Sequence, residues 1–361
     1  MTDFALLTTE ALDLLMQLIS TPRTSRSEAA AADIVQAFLS SRGVDARREA
    51  NNVWAVAPDY DVARPTLLLC AHIDTVRPVS AWTREPFTPT LEGERLYGLG
   101  SNDDGASLVS LIQAFRTLSA RSRCYNLVLA CTAEEEVSGT DGLTRLIPHL
   151  PHIDVALVGE PTGMQPAVAE RGLMVLDCTA HGRAGHAARD EGINAIYRAL
   201  DDISALRALS LDRVSSLLGP VKLTTTIINA GTQHNVVPDT CTFTVDVRSN
   251  ELYSNEDIYN IVRACVKSDV VARSFRLGSS CINLSHPLVA AALALGPQPD
   301  GRPRTPFGSP TLSDQALMPW PSLKMGPGDS ARSHTADEYI RLSELRQAIS
   351  EYVTMLDGLR F

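Results

Sequence analysis

Four places in the chain set a metal-binding or acid–base side chain at the end of a short apolar run or just ahead of a helical pattern. Ala71-His72-Ile73-Asp74 closes the run Thr66–Ala71, and Cys131-Thr132-Ala133-Glu134-Glu135-Glu136 closes Leu127–Cys131. Gly159-Glu160-Pro161 closes Val155–Val158, and Gly98-Leu99-Gly100-Ser101-Asn102-Asp103-Asp104-Gly105 stands directly before a helical pattern. Open α/β sheets hold ligands beyond the carboxyl ends of their strands. Carboxylates converging there repel one another and raise each other's pKa. A divalent cation removes that penalty, and a donor set of His with Asp and Glu suits zinc. His72 and Asp74 need not bind the same ion, and Asp74 is free to orient the His72 imidazole instead.

Taken singly, a His-x-Asp pair is an ordinary strand edge and three glutamates are an ordinary solvated turn. Their succession at consecutive strand ends is what points to a metal site. Two rival chemistries fall away. Gly98-Leu99-Gly100 begins like a dinucleotide fingerprint, but Asp103 occupies the third glycine position and would repel a pyrophosphate. The chain holds no Gly-x-Ser-x-Gly elbow, and no cysteine has a histidine partner suggested by its sequence.

The elements that must carry these residues follow from hydrophobic patterning. Residues 1–42 read as two helices, the second opened by a capping box Ser25-x-x-Glu28 and stopped by Gly43. Thr66–Ala71, Leu127–Cys131 and Val155–Val158 are continuous rather than alternating, which predicts strands buried on both faces of a parallel sheet, with Ala106–Leu118 as an intervening helix. From Leu173 the pattern changes. Strand Leu173–Ala180, helix Ile193–Leu209 with Ile193, Ile196, Leu200 and Ile203 on one face, strands Val221–Asn229 and Cys241–Arg248, helix Asn255–Val266 and strand Val271–Leu277 follow in turn. This β-α-β-β-α-β order predicts an antiparallel sheet covered by two helices on one face, its other face a candidate dimer surface. Helix Pro287–Leu295, a Pro/Gly-rich loop Gly296–Pro310 and a last helix striped by Leu345, Ile349, Val353 and Leu356 return to the first pattern. The expectation is one α/β domain, residues 1–170 and 285–361, interrupted by an α+β domain, residues 171–284.

Composition bounds the partners. The 361 residues include 42 acidic and 32 basic side chains, a formal net charge of −10, which argues against nucleic acid and anionic membranes as partners. The apolar run Leu288–Leu295 falls far short of the ~20 residues of a membrane helix. Seven scattered cysteines without a Cys-x-x-Cys pair, and no visible signal peptide, predict a reduced, cytoplasmic protein.

The succession of motifs resembles the M20 family of di-zinc metallohydrolases, amidohydrolases and peptidases that include acetylornithine deacetylase and succinyl-diaminopimelate desuccinylase. The likeness covers essentially the whole chain. It implies an aminopeptidase-like zinc-hydrolase catalytic domain and an inserted ferredoxin-like lid that also dimerises. It further implies that His72, Asp103, Glu136, Glu160 and His334 bind two Zn2+ ions, with Co2+ a possible substitute, and that Asp103 bridges them. By the same resemblance Asp74 orients His72, and Glu135 is the general base. His334 stands in Ser333-His334-Thr335-Ala336-Asp337-Glu338-Tyr339, similar to the family's C-terminal ligand motif. Asp104 adjoins Asp103; the spacing after Gly98 and Gly100 favours Asp103 as the bridge. Leu99 and Gly105 stand where many relatives carry Arg and Lys.

For the substrate, His186 in Gly185-His186-Ala187-Ala188-Arg189-Asp190 resembles a lid histidine that reaches a partner subunit's site, an oxyanion donor. Asn235 resembles a lid residue near the same junction. Arg248, on the polar face of an alternating strand, matches an Asp-Val-Arg arginine and suits an α-carboxylate. The loop Gly308–Asp314, with Ser309, and Gly326 and Gly328 are expected to wall the pocket. Gly-Ser-Asn-Asp, Glu-Glu-Glu-Val-Ser-Gly and Ser-Pro-Thr-Leu-Ser-Asp look closest to an acetylornithine-deacetylase-like branch. The expected reaction is thus N-acetyl-L-ornithine to L-ornithine and acetate, for arginine biosynthesis, by a cytoplasmic homodimer. Alternatives are N-succinyl-ornithine or N-succinyl-diaminopimelate desuccinylation, N-acetyl-citrulline deacetylation and dipeptide cleavage. A catalytically silent metal- or amino-acid-binding protein is the reading from another class, and the presence of Glu135 beside all five matched ligands argues against it.

Overall fold

The structure, a computed structural model, describes residues 2–189 and 191–361; Asp190 of the His186 motif lies outside them. The chain divides into two compact units, one of residues 1–168, 281–307 and 313–361, the other of 169–280 and 308–312. The return 308–312 clusters with the second unit, where Ser309 O accepts Arg171 N at 3.3 Å.

The first unit is built on β1 (Asn52–Val56), β2 (Thr66–His72), β3 (Asn126–Thr132) and β4 (Val155–Val158). In space they run β1-β3-β2-β4, and Ser322–Lys324 follows beside β4. β2 pairs in parallel with both β3 and β4, as Ser322–Lys324 does with β4, while β1 joins antiparallel. Every residue of β2, β3 and β4 is buried, which is why their sequences read as unbroken apolar runs. Helices Phe4–Ile19, Ala106–Ser119 and Leu342–Leu356 pack on one another, and Ala106–Ser119 lies against β2 and β3. Leu68, Cys70, Val128 and Ala130 point instead into a separate cluster with Trp54, Leu146 and Ile153. The parallel register brings the carboxyl ends of β2, β3 and β4 to one edge, so residues following each strand meet there.

The second unit is an antiparallel sheet of β5 (Gly172–His181), β6 (Lys222–Ala230), β7 (Thr240–Ser249) and β8 (Asp269–Ala272), in the order β6-β7-β5-β8. Phe243, Val245 and Val247 are buried against its two helices, Ala195–Ala208 and Asn255–Cys265, in a core of their own. No helix among the described residues is long and apolar enough to cross a membrane.

Three local expectations are corrected. Ser25-x-x-Glu28 is not a capping box. Glu28 itself is the N-cap residue of helix Ala29–Ser40 and makes no side-chain cap bond. Ser25 Oγ donates instead to Asp74 at 2.6 Å, and Glu28 accepts Glu134 N at 3.1 Å. A buried carboxylate and a buried N–H cost more to leave unpaired than a helix end open to water, so the interior recruits both side chains. The first helix of the second unit buries Ala195, Ala199, Asp202 and Leu206; of the expected face, Ile203 packs partly buried against the core, whereas Ile193 and Leu200 remain 37% and 48% exposed. The inward face turns on Asp202, whose carboxylate takes the N–H groups of Lys267 and Ser268. The ladder of the last strand, expected over Val271–Leu277, ends at Ala272.

Candidate metal centre

His72 is the last residue of β2. Its Nδ1 lies 2.9 Å from the carbonyl oxygen of Asp74, which turns Nε2 toward a group of carboxylates: 3.2 Å to Asp103 Oδ1 and 3.9 Å to Glu135 Oε2. The other oxygen of Asp103, Oδ2, is 3.7 Å from His334 Nε2, and His334 Nε2 is 2.9 Å from Glu136 Oε2. One carboxylate thus stands between two imidazoles. Donor atoms of His72, Asp103 and Glu136 lie within 4.8 Å of one another, as do those of His72, Glu135 and Glu160. His72, Asp103, Glu135, Glu136, Glu160 and His334 are therefore gathered at one edge of the sheet. Asp104 turns away: it is fully buried, and its Oδ2 accepts the His72 backbone N–H at 3.3 Å.

The turn after β3 is held tightly. Glu134 has φ +54° and begins the short 3-10 turn Glu135–Val137. A non-glycine residue in the left-handed region costs on the order of 1–3 kcal/mol and persists only where its surroundings impose it. Here Glu28 holds the Glu134 N–H, and Asp74 accepts the N–H groups of Glu135 and Glu136 at 3.1 and 3.2 Å. Asp74 therefore serves as hub of the β2 and β3 ends as well as neighbour to His72. The Gly100–Asp103 loop is fixed from both sides. Arg23, fully buried, donates to Gly100 O at 2.8 Å and to Ile73 O. Glu338 accepts the N–H groups of Gly100, Asn102 and Asp103. Gly100 has φ +73°, and a Cβ there would come within 2.4 Å of both Arg23 and Thr75, so no other residue fits. Asp314, also buried, accepts Thr132 Oγ1 at 2.6 Å behind the same strand ends.

Sequence reasoning did not assign Arg23, Asp314 or Glu338. Glu338 and Asp314 lie in motifs that were singled out, and their acidity inside otherwise ordinary loops was the available signal. Arg23 offered none, since a lone arginine near a turn is ordinary surface chemistry.

Electrostatics supply the test of whether ions fit. Burial first, and then their acidic neighbours, push Glu135 and Glu160 well above the usual carboxylate range. Burial also raises Asp314 to about 6 and Glu338 to about 7. Burial opposes the charged forms of Asp74 and Asp103 too, but their bonds to His72 hold both below it. His72 is raised well above its ordinary value: burial works against the imidazolium, and hydrogen bonds to Asp103 and Asp74 outweigh it. The His334 imidazole is raised chiefly by its bond to Glu136. So many buried carboxylates sharing two imidazoles is a charge distribution that divalent cations relieve, and nitrogen and carboxylate oxygen are donors that zinc accepts. The residues present fit a pair of such ions.

His186, Asn235, Arg248 and Ser309 all belong to the second unit. A two-stranded ribbon, Gly185–His186 against Val236–Val237, brings His186 and Asn235 together, and Ala187 N donates to Asn235 O at 3.0 Å. Both are exposed. Arg248 forms a two-pronged pair with Asp246, at 2.9 and 3.2 Å, and is partly open to solvent. Ser309 is buried, its hydroxyl 2.9 Å from Thr311 Oγ1.

A profile of the peptidase family M20/M25/M40 matches residues 68–358. A succinyl-diaminopimelate desuccinylase of Parvibaculum lavamentivorans is 27% identical over 97% of this chain and 95% of its own. An acetylornithine deacetylase of Proteus mirabilis is 25% identical over 92% of each. Among solved structures, a dinuclear metal-binding peptidase of the M20 family from Bacillus subtilis superposes with a TM-score of 0.74 at 17% identity, covering 98% of this chain and all of the other.

Proposed function

Because the chain belongs to the peptidase family M20/M25/M40, and with it to the metallo-amidohydrolases, we propose that it cleaves the amide of an N-acyl amino acid at a centre binding two zinc ions. The observation that carries the reading is Asp103, one carboxylate between the His72 and His334 imidazoles. His72, Asp103 and Glu160 would hold one ion, and Asp103, Glu136 and His334 the other. When bound, the ions supply Lewis acidity to the scissile carbonyl and to the attacking water. Glu135 takes the proton of that water and returns it to the departing amine, so the leaving group departs neutral. Asp74 keeps the His72 ring turned so that Nε2 faces Asp103, its carbonyl oxygen lying 2.9 Å from His72 Nδ1.

N-acetyl-L-ornithine is the leading substrate, on the Gly-Ser-Asn-Asp, Glu-Glu-Glu-Val-Ser-Gly and Ser-Pro-Thr-Leu-Ser-Asp stretches and the likeness to an acetylornithine deacetylase. Desuccinylation is the second reading, supported by the relatives that carry that name. Arg248 is assigned to the substrate's α-carboxylate, Asn235 to the lid beside His186, and Ser309 to the pocket wall. The purified protein is expected to carry two zinc ions per chain, to lose amidase activity to a chelator and to regain it with zinc or cobalt. A panel of acetyl and succinyl derivatives of ornithine, citrulline and diaminopimelate then reads the acyl group and the amino acid. A protein without bound metal, or one whose activity survives chelation, would refute the reading.

The second unit we take as a lid through which two copies pair. Among the described residues strand β6 is paired only with β7, and Ile227 and Ile228 on it are 50% and 48% exposed, an edge that calls for cover. His186 then acts as an oxyanion donor in its partner's site. Mixing inactive His186→Ala with inactive Glu135→Ala protein is expected to restore part of the activity, because a mixed dimer regains one intact site. Mixtures that stay inactive although subunits exchange would exclude the role in trans.

A further inference from the structure

The segment that carries His334 also grips the loop that carries Asp103. Strand Tyr339–Arg341 runs antiparallel to Arg95–Tyr97 with Tyr339 opposite Tyr97, which sets Glu338 beside the start of the loop, and Gly98 N donates to Glu338 O at 3.0 Å. The Glu338 side chain, 2% exposed, then turns into the loop. Oε2 accepts Gly100 N at 2.9 Å, and Oε1 accepts Asn102 N at 2.8 Å and Asp103 N at 2.9 Å. Bonds from N–H groups to a carboxylate are short, strong and directional, and three from one stretch, Gly100 to Asp103, leave it little freedom. A second tie lies alongside: the Asn102 amide exchanges hydrogen bonds with the backbone of Asp329, at 3.1 and 3.0 Å. From the other side, Arg23 holds the carbonyl of Gly100.

We propose that Glu338 is a positioning residue that sets where Asp103 stands between His72 and His334, and through that placement sets the affinity of the centre for its ions. The inference rests on reading Asp103 as a shared ligand. Glu338 spends its oxygens on backbone N–H groups, so its effect passes through the loop. Its connection with His334 is covalent, four residues along the chain, so one short segment fixes one imidazole and the carboxylate it shares. Glutamine is nearly the same shape, but in either orientation of its amide at least one loop N–H faces an NH2 group. Aspartate keeps the charge and is one methylene too short to reach all three.

The test is zinc titration of the metal-stripped full chain, by calorimetry or by competition with a chromophoric chelator. Glu338→Gln and Glu338→Asp are each expected to weaken zinc binding by about 10–100-fold, the usual effect of losing a group that orients a ligand without binding the ion. With zinc saturating, kcat should fall more than KM changes. Leu345→Ala, a buried residue of the C-terminal helix, serves as control and should lower thermal stability while leaving zinc affinity unchanged. If a Glu338 variant folds only with metal, the dependence of its Tm on zinc concentration gives the same affinity. Wild-type affinity in both Glu338 variants, or an equal loss in Leu345→Ala, would overturn the proposal. A wild-type protein that binds no zinc would overturn the two-ion reading itself, a separate result.

Discussion

Glu135→Gln is expected to retain both metal ions and to lose about 10²–10⁴-fold in kcat, the range for removing a general acid–base group. The upper end of that range is the expectation, because one carboxylate serves twice, first on the water and then on the amine. The substitution isolates chemistry from architecture. The position of residue 135 is set by its backbone N–H on Asp74, which glutamine keeps. Its Oε2 lies 3.9 Å from His72 Nε2, beyond a direct hydrogen bond, so no strong side-chain contact is broken. KM should therefore move little, the signature of an interaction made only in the transition state. Glu135 also lies within ligand distance of His72 and Glu160. Metal analysis separates the two possibilities: loss of an ion would make Glu135 a ligand, and near-normal turnover would remove it as the base.

Much of this centre was legible because its residues obey a simple rule. Buried parallel strands betray themselves as unbroken apolar runs, and the ionisable residue that ends each run must face a common edge. That rule marks His72, Glu160 and the run Glu134–Glu136, whereas choosing Glu135 and Glu136 within the run took the resemblance. His334 did need more, because no strand end announces it: it has φ +59° in a loop after the turn Ser330–Arg332, and the resemblance of its motif placed it. What stayed hidden is the scaffold behind these residues. Ser25 and Glu28 carry a local signature that long-range partners override, Asp74 and Glu134, some fifty and one hundred residues away in sequence. Arg23 has a role only because the fold buries it among carboxylates, a property of the interior that no spacing encodes. The misjudged face of helix Ala195–Ala208 has the same origin: periodicity marks where apolar residues lie, and a buried Asp202 satisfied by two N–H groups turned the helix another way. The acidic surplus of the chain, 42 against 32, is likewise partly interior, since Asp74, Asp103, Asp104, Glu160, Asp314 and Glu338 are all withdrawn from solvent.

The neighbouring aspartates offer the sharpest contrast. Asp103→Asn is expected to remove both ions and reduce amidase activity to background, far beyond the ~10–100-fold loss typical of a residue that touches a ligand without binding the ion. Asparagine preserves the shape of residue 103 and its backbone bond to Glu338, so the loop should keep its path. What it lacks is the charge that faces His72 through Oδ1 and His334 through Oδ2, and a neutral amide oxygen is a poor bridge between two cations. Asp104→Asn should behave differently. Asp104 is as buried as any residue in the chain, and its carboxylate meets the His72 backbone N–H rather than the imidazole. Burial, the largest cause, raises its pKa well above the usual range, and asparagine keeps an oxygen to meet the His72 backbone N–H. Asp104→Asn is thus expected to keep both ions and most of the activity, with its cost confined to stability. Zinc content of the two purified variants, measured beside their melting temperatures, decides the assignment. Two ions in Asp103→Asn together with none in Asp104→Asn would transfer the bridging role to Asp104, and the geometry of His334 would then require a rearrangement of the whole Gly100–Asp104 loop.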